Sequence, residues 1–276
     1  MSAFLAQMAA GSRARLDAAR SRRPLAALEA EARRCPPPPP LRLDASGFDL
    51  IAELKLRSPA AGALAGSGAD LAARVGVYAR AGAAAVSVLT EPSRFDGSLG
   101  HLTEAAGVLA PLAVPAMRKD FLVDPYQVFE ARAAGAGGVL VILRLLPPED
   151  TAALLECAAS LGLFVLLEAF DARDVELMHR LVGAHRGANQ LLAGLNCRDL
   201  ATLEVAPGRL TELAPLLPAE LPRVAESGVA SEADARAVAE AGYALALVGS
   251  ALMRGGDPGG LAAALLAAGR AASRGH

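Results

Sequence analysis

Lysine is almost absent from this chain: Lys55 and Lys119 are the only two, and the other 25 of its 27 basic residues are arginine. Ile and Asn each occur only twice, while Ala, Gly and Leu dominate, which indicates a compositional bias that replaces lysine wherever any surface cation is enough. A guanidinium stays protonated near neutral pH and cannot exchange a proton as an ammonium can. Both lysines directly follow apolar, strand-like runs. We therefore interpret them as candidates for proton-transfer chemistry, against the alternative that they persist by chance.

Carboxylates and one amide follow other apolar runs in the same way. Glu53 lies two residues before Lys55, so the two side chains can share one side of a strand. Glu168, Asn196 and Glu226 end three further runs. Each of these residues alone could be a loop anchor, a turn cap or an ion-pair partner. Such separate structural roles do not explain why two lysines, three acids and an asparagine all lie at the ends of strand-like runs. This clustering favours a catalytic site.

Glycines and serines after the last two runs indicate an anion site. Residues 226–228 read ESG and residues 249–250 read GS. Glycine lets backbone N–H groups approach an anion, and the N-terminus of a following helix adds positive potential. Each dipeptide is a weak signal alone, but loops after the seventh and eighth strands form a common phosphate site in α/β barrels. Their placement predicts a phosphorylated small-molecule substrate.

The elements that must position these residues repeat along the chain from residue 48 onward. Eight short apolar runs alternate with helical segments. The runs are 48–54, 84–89, 114–118, 138–143, 163–168, 191–196, 222–226 and 244–248, and clear helical segments include 69–81, 125–134, 147–160, 171–182 and 231–241. This alternation predicts an α/β fold, a single (β/α)8 TIM barrel, with the site at the carboxyl ends of its strands. An open, doubly wound sheet is the rival fold, and the lack of a G-x-G-x-x-G motif after the first run disfavours it.

The N-terminal part differs from the rest. We expect residues 1–47 to form a helical extension with a Pro-rich connector and residues 48–276 to form the barrel, as one structural domain overall. Two Arg- and Ala-rich helices are expected, with a break near Ser21, and Pro36 to Pro40 predict an extended connector. Five arginines and one aspartate in the first 23 residues would also suit a transit peptide. The helix is favoured because Phe4, Leu5, Met8 and Leu16 can share one face.

The composition argues against several classes of protein. A formal net charge of −2 gives no reason to expect nucleic-acid binding, and no run of about 18 apolar residues indicates a membrane span. The three cysteines lie far apart and form neither a disulfide framework nor a zinc pattern, and the four histidines have no metal-ligand spacing. A reducing, cytoplasmic location fits these observations.

Taken together, the motifs resemble the indole-3-glycerol phosphate synthase family over about residues 20–265. The most specific segments are RKDFLVDPYQVFEARAAGA (118–136) and VSVLTEPSRFDGSL (86–99). IAELKLRSP (51–59), LNCRDL (195–200), VAESGV (224–229) and LVGSALMR (247–254) also match, the last two being shared with other phosphate-binding barrels. The resemblance implies a (β/α)8 barrel that converts 1-(2-carboxyphenylamino)-1-deoxyribulose 5-phosphate to indole-3-glycerol phosphate, CO2 and water. It implies no cofactor and no metal, and it is compatible with transient contact with other tryptophan-pathway enzymes.

The resemblance also assigns roles to residues that match its motifs. It implies that Lys119 is the general acid on the ribulose carbonyl and that Lys55 binds the substrate carboxylate and takes part in proton transfer. Glu53 is expected to support dehydration, and Glu168 to stabilise a cationic intermediate and accept a proton. Asn196 should hold a substrate hydroxyl, and Glu226 and Ser227 match the acid–serine pair at the end of the seventh strand. The expected phosphate contacts are Ser58, Gly228, Gly249 and Ser250. The expected apolar wall consists of Pro59, Phe95, Phe121, Leu140 and Ile142, with Arg198 and Leu200 nearby. Which lysine acts in which step stays open.

The chain departs from the family pattern at a few positions. It reads SPAAG at residues 58–62 where many members read SPSKG. The affinity of this loop for the substrate phosphate therefore stays open. Phe170 stands where a histidine is usual, and Cys197 where Asn or Ser is usual.

Two other functions compete with this one. A phosphoribosylanthranilate isomerase would use a Cys–Asp pair, and Cys35 and Cys197 lie in neither matching context. A non-catalytic barrel that binds a phosphometabolite predicts decay of the acid–base residues, and none is lost.

Overall fold

Eight parallel strands close into a barrel in this computed structural model, which describes residues 2–59, 62–64, 70–185, 187, 189–199, 202 and 204–274. The barrel strands are β1 (Asp49–Leu54), β2 (Ala85–Leu89), β3 (Ala116–Lys119), β4 (Gly138–Ile142), β5 (Phe164–Ala169), β6 (Leu191–Asn196), β7 (Arg223–Glu226) and β8 (Leu245–Val248). Each strand pairs with the next along the chain, and β8 pairs with β1. Closure confirms the predicted TIM barrel and rules out the open sheet.

The strands are buried along most of their length, as expected of a parallel sheet covered by helices. Their register brings the polar residues to one end of the barrel. Glu168 pairs with Gly194 across β5 and β6, and Asn196 pairs with Glu226 across β6 and β7. The last residues of neighbouring strands therefore lie side by side around one rim.

Helices cover the outside of the barrel. Within the described residues they are α1 (Ala3–Arg22), α2 (Leu25–Arg34), α3 (Leu71–Arg80), α4 (Pro92–Phe95), α5 (Leu99–Leu109), α6 (Pro125–Ala133), α7 (Pro148–Ser160), α8 (Ala172–Ala184), α9 (Gly208–Leu213), α10 (Glu232–Glu240), α11 (Ser250–Arg254) and α12 (Pro258–Ser273). Short 3-10 turns follow α5 and α9. The five helical segments that the sequence indicates all form, with ends within two residues of the expected positions.

Glycines with left-handed backbone angles end several helices. Gly82, Gly135 and Gly242 have φ angles of 98°, 89° and 86° just before the following strands. Glycine adopts this left-handed conformation without the Cβ clash of other residues, so it stops the helix and turns the chain into the barrel.

The N-terminal segment forms the two expected helices, and the break between them lies at Arg23 and Pro24, close to Ser21 as expected. Proline lacks the N–H that a continuing helix needs, so α1 ends before it and α2 begins after it. Leu5, Met8 and Leu16 are buried on one face of α1, while Phe4 beside them is half-buried. No helix of the described part of the chain is long and apolar enough to cross a bilayer.

Candidate active site

A cavity of about 240 Å³ opens at the carboxyl ends of the barrel strands. All predicted site residues in the described part of the chain line it: Glu53, Lys55, Ser58, Pro59, Phe95, Lys119, Phe121, Leu140, Ile142, Glu168, Asn196, Arg198, Glu226, Ser227, Gly228, Gly249 and Ser250. Leu200 lies outside the described residues, as do Ala60 and Ala61 of the departing SPAAG loop. The set that the sequence predicts therefore converges on one chamber.

Both lysines are held by the same carboxylate. Nζ of Lys55 lies 2.6 Å from Oε1 of Glu53, and Nζ of Lys119 lies 3.4 Å from Oε2 of the same residue. Glu53 ends β1 facing the barrel interior, and only 3% of its side chain is exposed. Gly249 faces it at the end of β8, where any Cβ would overlap Oε1 of Glu53, so the absence of a side chain there makes room for the carboxylate.

This arrangement fixes the charges of the ion pairs. Burial alone would raise the pKa of Glu53, but the ammonium groups of Lys55 and Lys119 outweigh it and lower that pKa to about 2. Burial would lower the pKa of Lys119, whereas the carboxylates of Glu53, Glu168 and Glu226 raise it above its usual value. In the free protein Glu53 is therefore an anion and Lys119 carries its proton throughout the physiological pH range.

Asn196 is fixed by three hydrogen bonds at the end of β6. Its Nδ2 donates to Oε1 of Glu168 at 2.8 Å, and its Oδ1 accepts from the backbone N–H of Arg198 and from Oγ of Ser227, both at 2.9 Å. Because Asn196 and Glu168 are both buried, these bonds set the amide orientation and hold the carboxylate of Glu168 towards the cavity.

Glu226 differs from the other acids in the cavity. Only 1% of the residue is exposed, and among the described residues neither of its carboxylate oxygens has a hydrogen-bond donor. Burial raises its pKa well above the usual value, and the nearby Glu168 raises it further, against the opposing charge of Lys119. The surroundings of Glu226 therefore favour the neutral form of its carboxyl group.

Aromatic rings form one wall of the cavity. The ring of Phe121 lies 6.3 Å from that of Phe95 and 6.0 Å from that of Phe4, the second pair in an edge-to-face arrangement. Leu140 and Ile142 of β4 extend the apolar surface and are almost fully buried. An apolar wall opposite a charged floor suits a ligand with an aromatic ring and an ionised group.

A buried ionic network fixes the chain around Lys119. Asp120 accepts from the hydroxyl of Thr90 at 2.7 Å, from the guanidinium of Arg118 at 3.1 Å and from Arg15 of α1 at 2.7 Å. Its other contact is the N–H of Phe121 at 2.8 Å. Burial would raise the pKa of Asp120, but Arg118 and Arg15 outweigh it and lower that pKa. Asp120 therefore acts as an anionic anchor for the strand end that carries Lys119.

The opposite side of the cavity is formed by the ends of β7 and β8. Ser227 and Gly228 have successive left-handed φ angles of 68° and 77°. Positive φ is strained for serine, and such strain concentrates at functional sites. Half-buried Ser250 begins α11, and Ser58, in a two-residue pairing of Arg57–Ser58 with Gly62–Ala63, also lines the cavity.

Nine residues that line the cavity were not among the predicted site residues, and two of the nine are aromatic. Phe4 lines the cavity although it comes from the N-terminal helix, and its apolar periodicity indicates only packing. Phe170, noted in the sequence as a departure from the family, also lines it and lies beneath the guanidinium of Arg144 at 4.8 Å. A register argument could have placed Phe170 near the rim, whereas no local signal shows that α1 reaches it.

No group of three or more His, Cys, Asp and Glu residues in the described segments could hold a metal ion. The cysteines do not line the cavity, and burial raises the pKa of Cys197. A thiolate acid–base pair, as the isomerase alternative needs, is therefore not present in this chamber.

Sequence comparisons agree on one family. The model of the indole-3-glycerol phosphate synthase family matches residues 5–265. The indole-3-glycerol phosphate synthase of Parafrankia sp. (strain EAN1pec) is 44% identical over 247 residues, which cover 89% of this chain and 88% of the relative. The enzyme of the same name from Micrococcus luteus is 45% identical over 217 residues, covering 79% and 77% of the two chains.

Solved structures of lower identity share the fold alone. The 3-hexulose-6-phosphate synthase of Salmonella typhimurium matches with a TM-score of 0.61 at 14% identity, covering 82% of this chain and all of its own. Thiamine phosphate pyrophosphorylase from Pyrococcus furiosus matches with a TM-score of 0.59 at 15% identity, covering 83% and 99%.

Proposed function

This chain belongs to the indole-3-glycerol phosphate synthase family, and from that premise we propose which of its residues perform the reaction. The protein is a carbon–carbon lyase of tryptophan biosynthesis. It converts 1-(2-carboxyphenylamino)-1-deoxyribulose 5-phosphate to indole-3-glycerol phosphate, with release of one CO2 and one water.

The general acid is Lys119. In the first step the ring carbon that bears the carboxylate attacks the sugar carbonyl, and the new C–C bond leaves negative charge on the carbonyl oxygen. That oxygen must take up a proton as the charge develops. The observation that carries this assignment is the position of the Lys119 ammonium at the cavity floor, 3.4 Å from the buried carboxylate of Glu53.

Lys119 must release a proton that its neighbours help to hold. The carboxylates of Glu53 and Glu168 keep Lys119 protonated before substrate binds, so it is ready to donate. As the carbonyl oxygen becomes an alkoxide, it is a far stronger base than the ketone and takes the proton. An arginine at this position would supply the charge but not the proton.

Carboxylates stabilise the cation that ring closure creates. Attack by the aromatic ring leaves it positively charged, and Glu168, fixed by Asn196, lies where it can offset that charge. Loss of CO2 returns the electron pair of the broken C–C bond to the ring. The hydroxyl formed in the first step then leaves as water with a proton from Lys55, and Glu168 accepts the proton that the new double bond displaces. Glu53 supports this dehydration by holding both ammonium groups.

The two ends of the cavity suit the two ends of the substrate. The apolar wall of Phe95, Phe121 and Leu140 would hold the anthranilate ring, and Lys55 its carboxylate. The phosphate would lie against the ends of β7 and β8, where Gly228, Gly249 and Ser250 offer backbone N–H groups and a hydroxyl.

We also propose a cytoplasmic location and transient contact with other tryptophan-pathway enzymes. Cys35, Cys157 and Cys197 are free thiols, which suits a reducing compartment. Cell fractionation, and cross-linking of the protein to its pathway neighbours at native concentrations, would test these two points.

The general-acid role of Lys119 is tested by following the indole fluorescence of the product as it forms from 1-(2-carboxyphenylamino)-1-deoxyribulose 5-phosphate. The wild type should turn over, and both Lys119→Ala and Lys119→Arg should lose at least about a hundredfold in kcat with unchanged folding, because neither side chain can donate the proton. Arg173→Lys on the outer helix α8 is the matched control and should be fully active. Substantial activity in Lys119→Arg would contradict the general-acid role.

A further inference from the structure

Gly194 occupies an inward-facing position in β6, directly between the strands that carry two of the acids. It pairs in register with Glu168 of β5 on one side and with Val224 of β7 on the other. Strands separated by one neighbour lie roughly 10 Å apart, twice the spacing of adjacent strands. The carboxyl groups of Glu168 and Glu226 can therefore meet only by reaching over β6.

The space above Gly194 is filled by one of those carboxyl groups. A Cβ at this position would overlap Oε1 of Glu226 and would lie 2.9 Å from Cδ1 of Leu166 and 3.1 Å from the backbone oxygen of Leu167. The backbone and the buried leucine have little freedom to move. Any residue larger than glycine would therefore displace Glu226.

The carboxyl group of Glu226, which would be displaced, has surroundings that do not stabilise a negative charge. Both oxygens of Glu226 are buried without a donor in the described structure. The charged groups that face it are Glu168 from β5, Lys119 from β3 and Glu53 from β1. The negative charge of Glu168 disfavours a second anion at Glu226 and so raises the pKa of Glu226.

We infer that Gly194 is a positioning residue: its missing side chain leaves the space in which the buried carboxyl of Glu226 lies beside Glu168. This inference rests on the proposed function and deepens it. A carboxyl group that is buried without a donor and lies beside a carboxylate favours its neutral form, because ionisation would bring two negative charges together.

The neutral form of Glu226 has a consequence for the general acid, Lys119. A charged Glu226 would hold the proton of Lys119 more firmly, because it is one of the three carboxylates that raise the pKa of that lysine. With Glu226 neutral, Lys119 is the stronger acid when the sugar carbonyl requires a proton. Gly194 thus influences Lys119 without touching the substrate.

A double-mutant cycle tests the inference. Gly194→Ala should lower kcat by about a hundredfold, since misplacing a catalytic group by about 1 Å has that effect, while KM changes by less than about threefold. Adding Gly194→Ala to Glu226→Ala should lower kcat by less than about twofold, because the group it displaces is already gone. An equal loss in both backgrounds, or no loss in the wild type, would overturn the inference.

A spectroscopic measurement makes the test independent of turnover. A protonated, buried carboxyl gives its own infrared C=O band, which Glu226→Gln identifies by removing it. Gly194→Ala should remove the same band, and a band that persists there would contradict the inference. Gly107→Ala and Gly183→Ala are matched controls, since each lies in an outer helix with open space around it, and both should keep the band and the activity. Failure of the Lys119 assignment would appear separately, as activity in Lys119→Arg.

Discussion

Lys55 and Lys119 come from different strand ends and are bound to opposite oxygens of a single carboxylate. Nζ of Lys55 lies 2.6 Å from Oε1 of Glu53, and Nζ of Lys119 lies 3.4 Å from Oε2. One buried anion therefore neutralises part of the charge of two ammonium groups that would otherwise repel each other.

Glu53→Gln should make the stability of the protein depend less on pH. The folded-state pKa of Glu53 is about 2 and the ordinary value is 4.5, so its ionisation stabilises the fold fully above pH 4.5 and less and less as the pH falls towards 2. That contribution is roughly 3 kcal/mol by the size of the shift. Urea unfolding at a series of pH values should show the variant less stable at pH 7 and the two curves converging below pH 4.5.

Glu29→Gln is the matched control for this experiment. Glu29 pairs with Arg33 on the exposed surface of α2, where an ion pair contributes less than about 1 kcal/mol. Its curve should run close to that of the wild type at every pH. A constant offset for Glu53→Gln down to pH 2 would show that the two lysines do not hold the carboxylate in its charged form.

Ser250→Ala should weaken binding of the phosphate end of the substrate. Ser250 lies half-buried at the start of α11 on the cavity rim. A hydrogen bond to a charged group contributes about 1.5–3 kcal/mol, so KM should rise by about tenfold or more, with kcat within about twofold of the wild type. Ser21→Ala on the surface of α1 should change neither constant. A loss confined to kcat would contradict the phosphate role.

Much of this site follows from the sequence because strand periodicity fixes orientation. Glu53 and Lys55 are two residues apart and indeed share the barrel mouth. The order Arg118, Lys119, Asp120 shows why charge alone does not decide function. Lys119 faces the cavity and Glu53, whereas the guanidinium of Arg118 contacts Asp120 and the backbone of α6.

Other parts of the site depend on contacts between distant segments. The position of Phe4 on the cavity wall requires α1 to fold across the barrel mouth, and no motif near Phe4 encodes that. The buried, donor-free state of Glu226 depends on the empty space at Gly194, which the motif ESG does not reveal. The division at residues 47 and 48 into an extension and a barrel stays a prediction.

Phe4→Ala should weaken substrate binding through the aromatic wall. Phe4 packs edge-to-face on Phe121 at 6.0 Å and lines the cavity. A contact between the ring of Phe4 and the aromatic ring of the substrate would contribute about 0.5–1.5 kcal/mol beyond its buried area, so KM should rise roughly two- to tenfold, with a smaller change in kcat. Leu25→Ala is the matched control because Leu25 is 43% exposed at the start of α2. An unchanged KM in Phe4→Ala would mean that the ring of Phe4 does not shape the substrate site.

Arg15→Ala should release α1 from the barrel mouth. Arg15 donates to Asp120 at 2.7 Å and to Glu91 at 3.4 Å, and both carboxylates are buried. Removing it leaves Asp120 with Arg118 and Thr90, so Lys119 keeps its anchor while the helix loses its ionic link. Because 29% of the Arg15 side chain is exposed, we expect a modest loss of about 1–2 kcal/mol in the free energy of unfolding.

The effect on catalysis separates a tether from a purely structural ion pair. If Arg15 holds Phe4 in place, Arg15→Ala should raise KM as Phe4→Ala does, and the double variant should be no worse than the more severe single one. Arg20 lies on the same helix as Arg15 and forms an exposed ion pair with Asp124, which precedes α6. Arg20→Ala breaks this pair and should leave KM unchanged. Fully multiplicative KM increases in the double variant would mean that the two residues act on the substrate site independently.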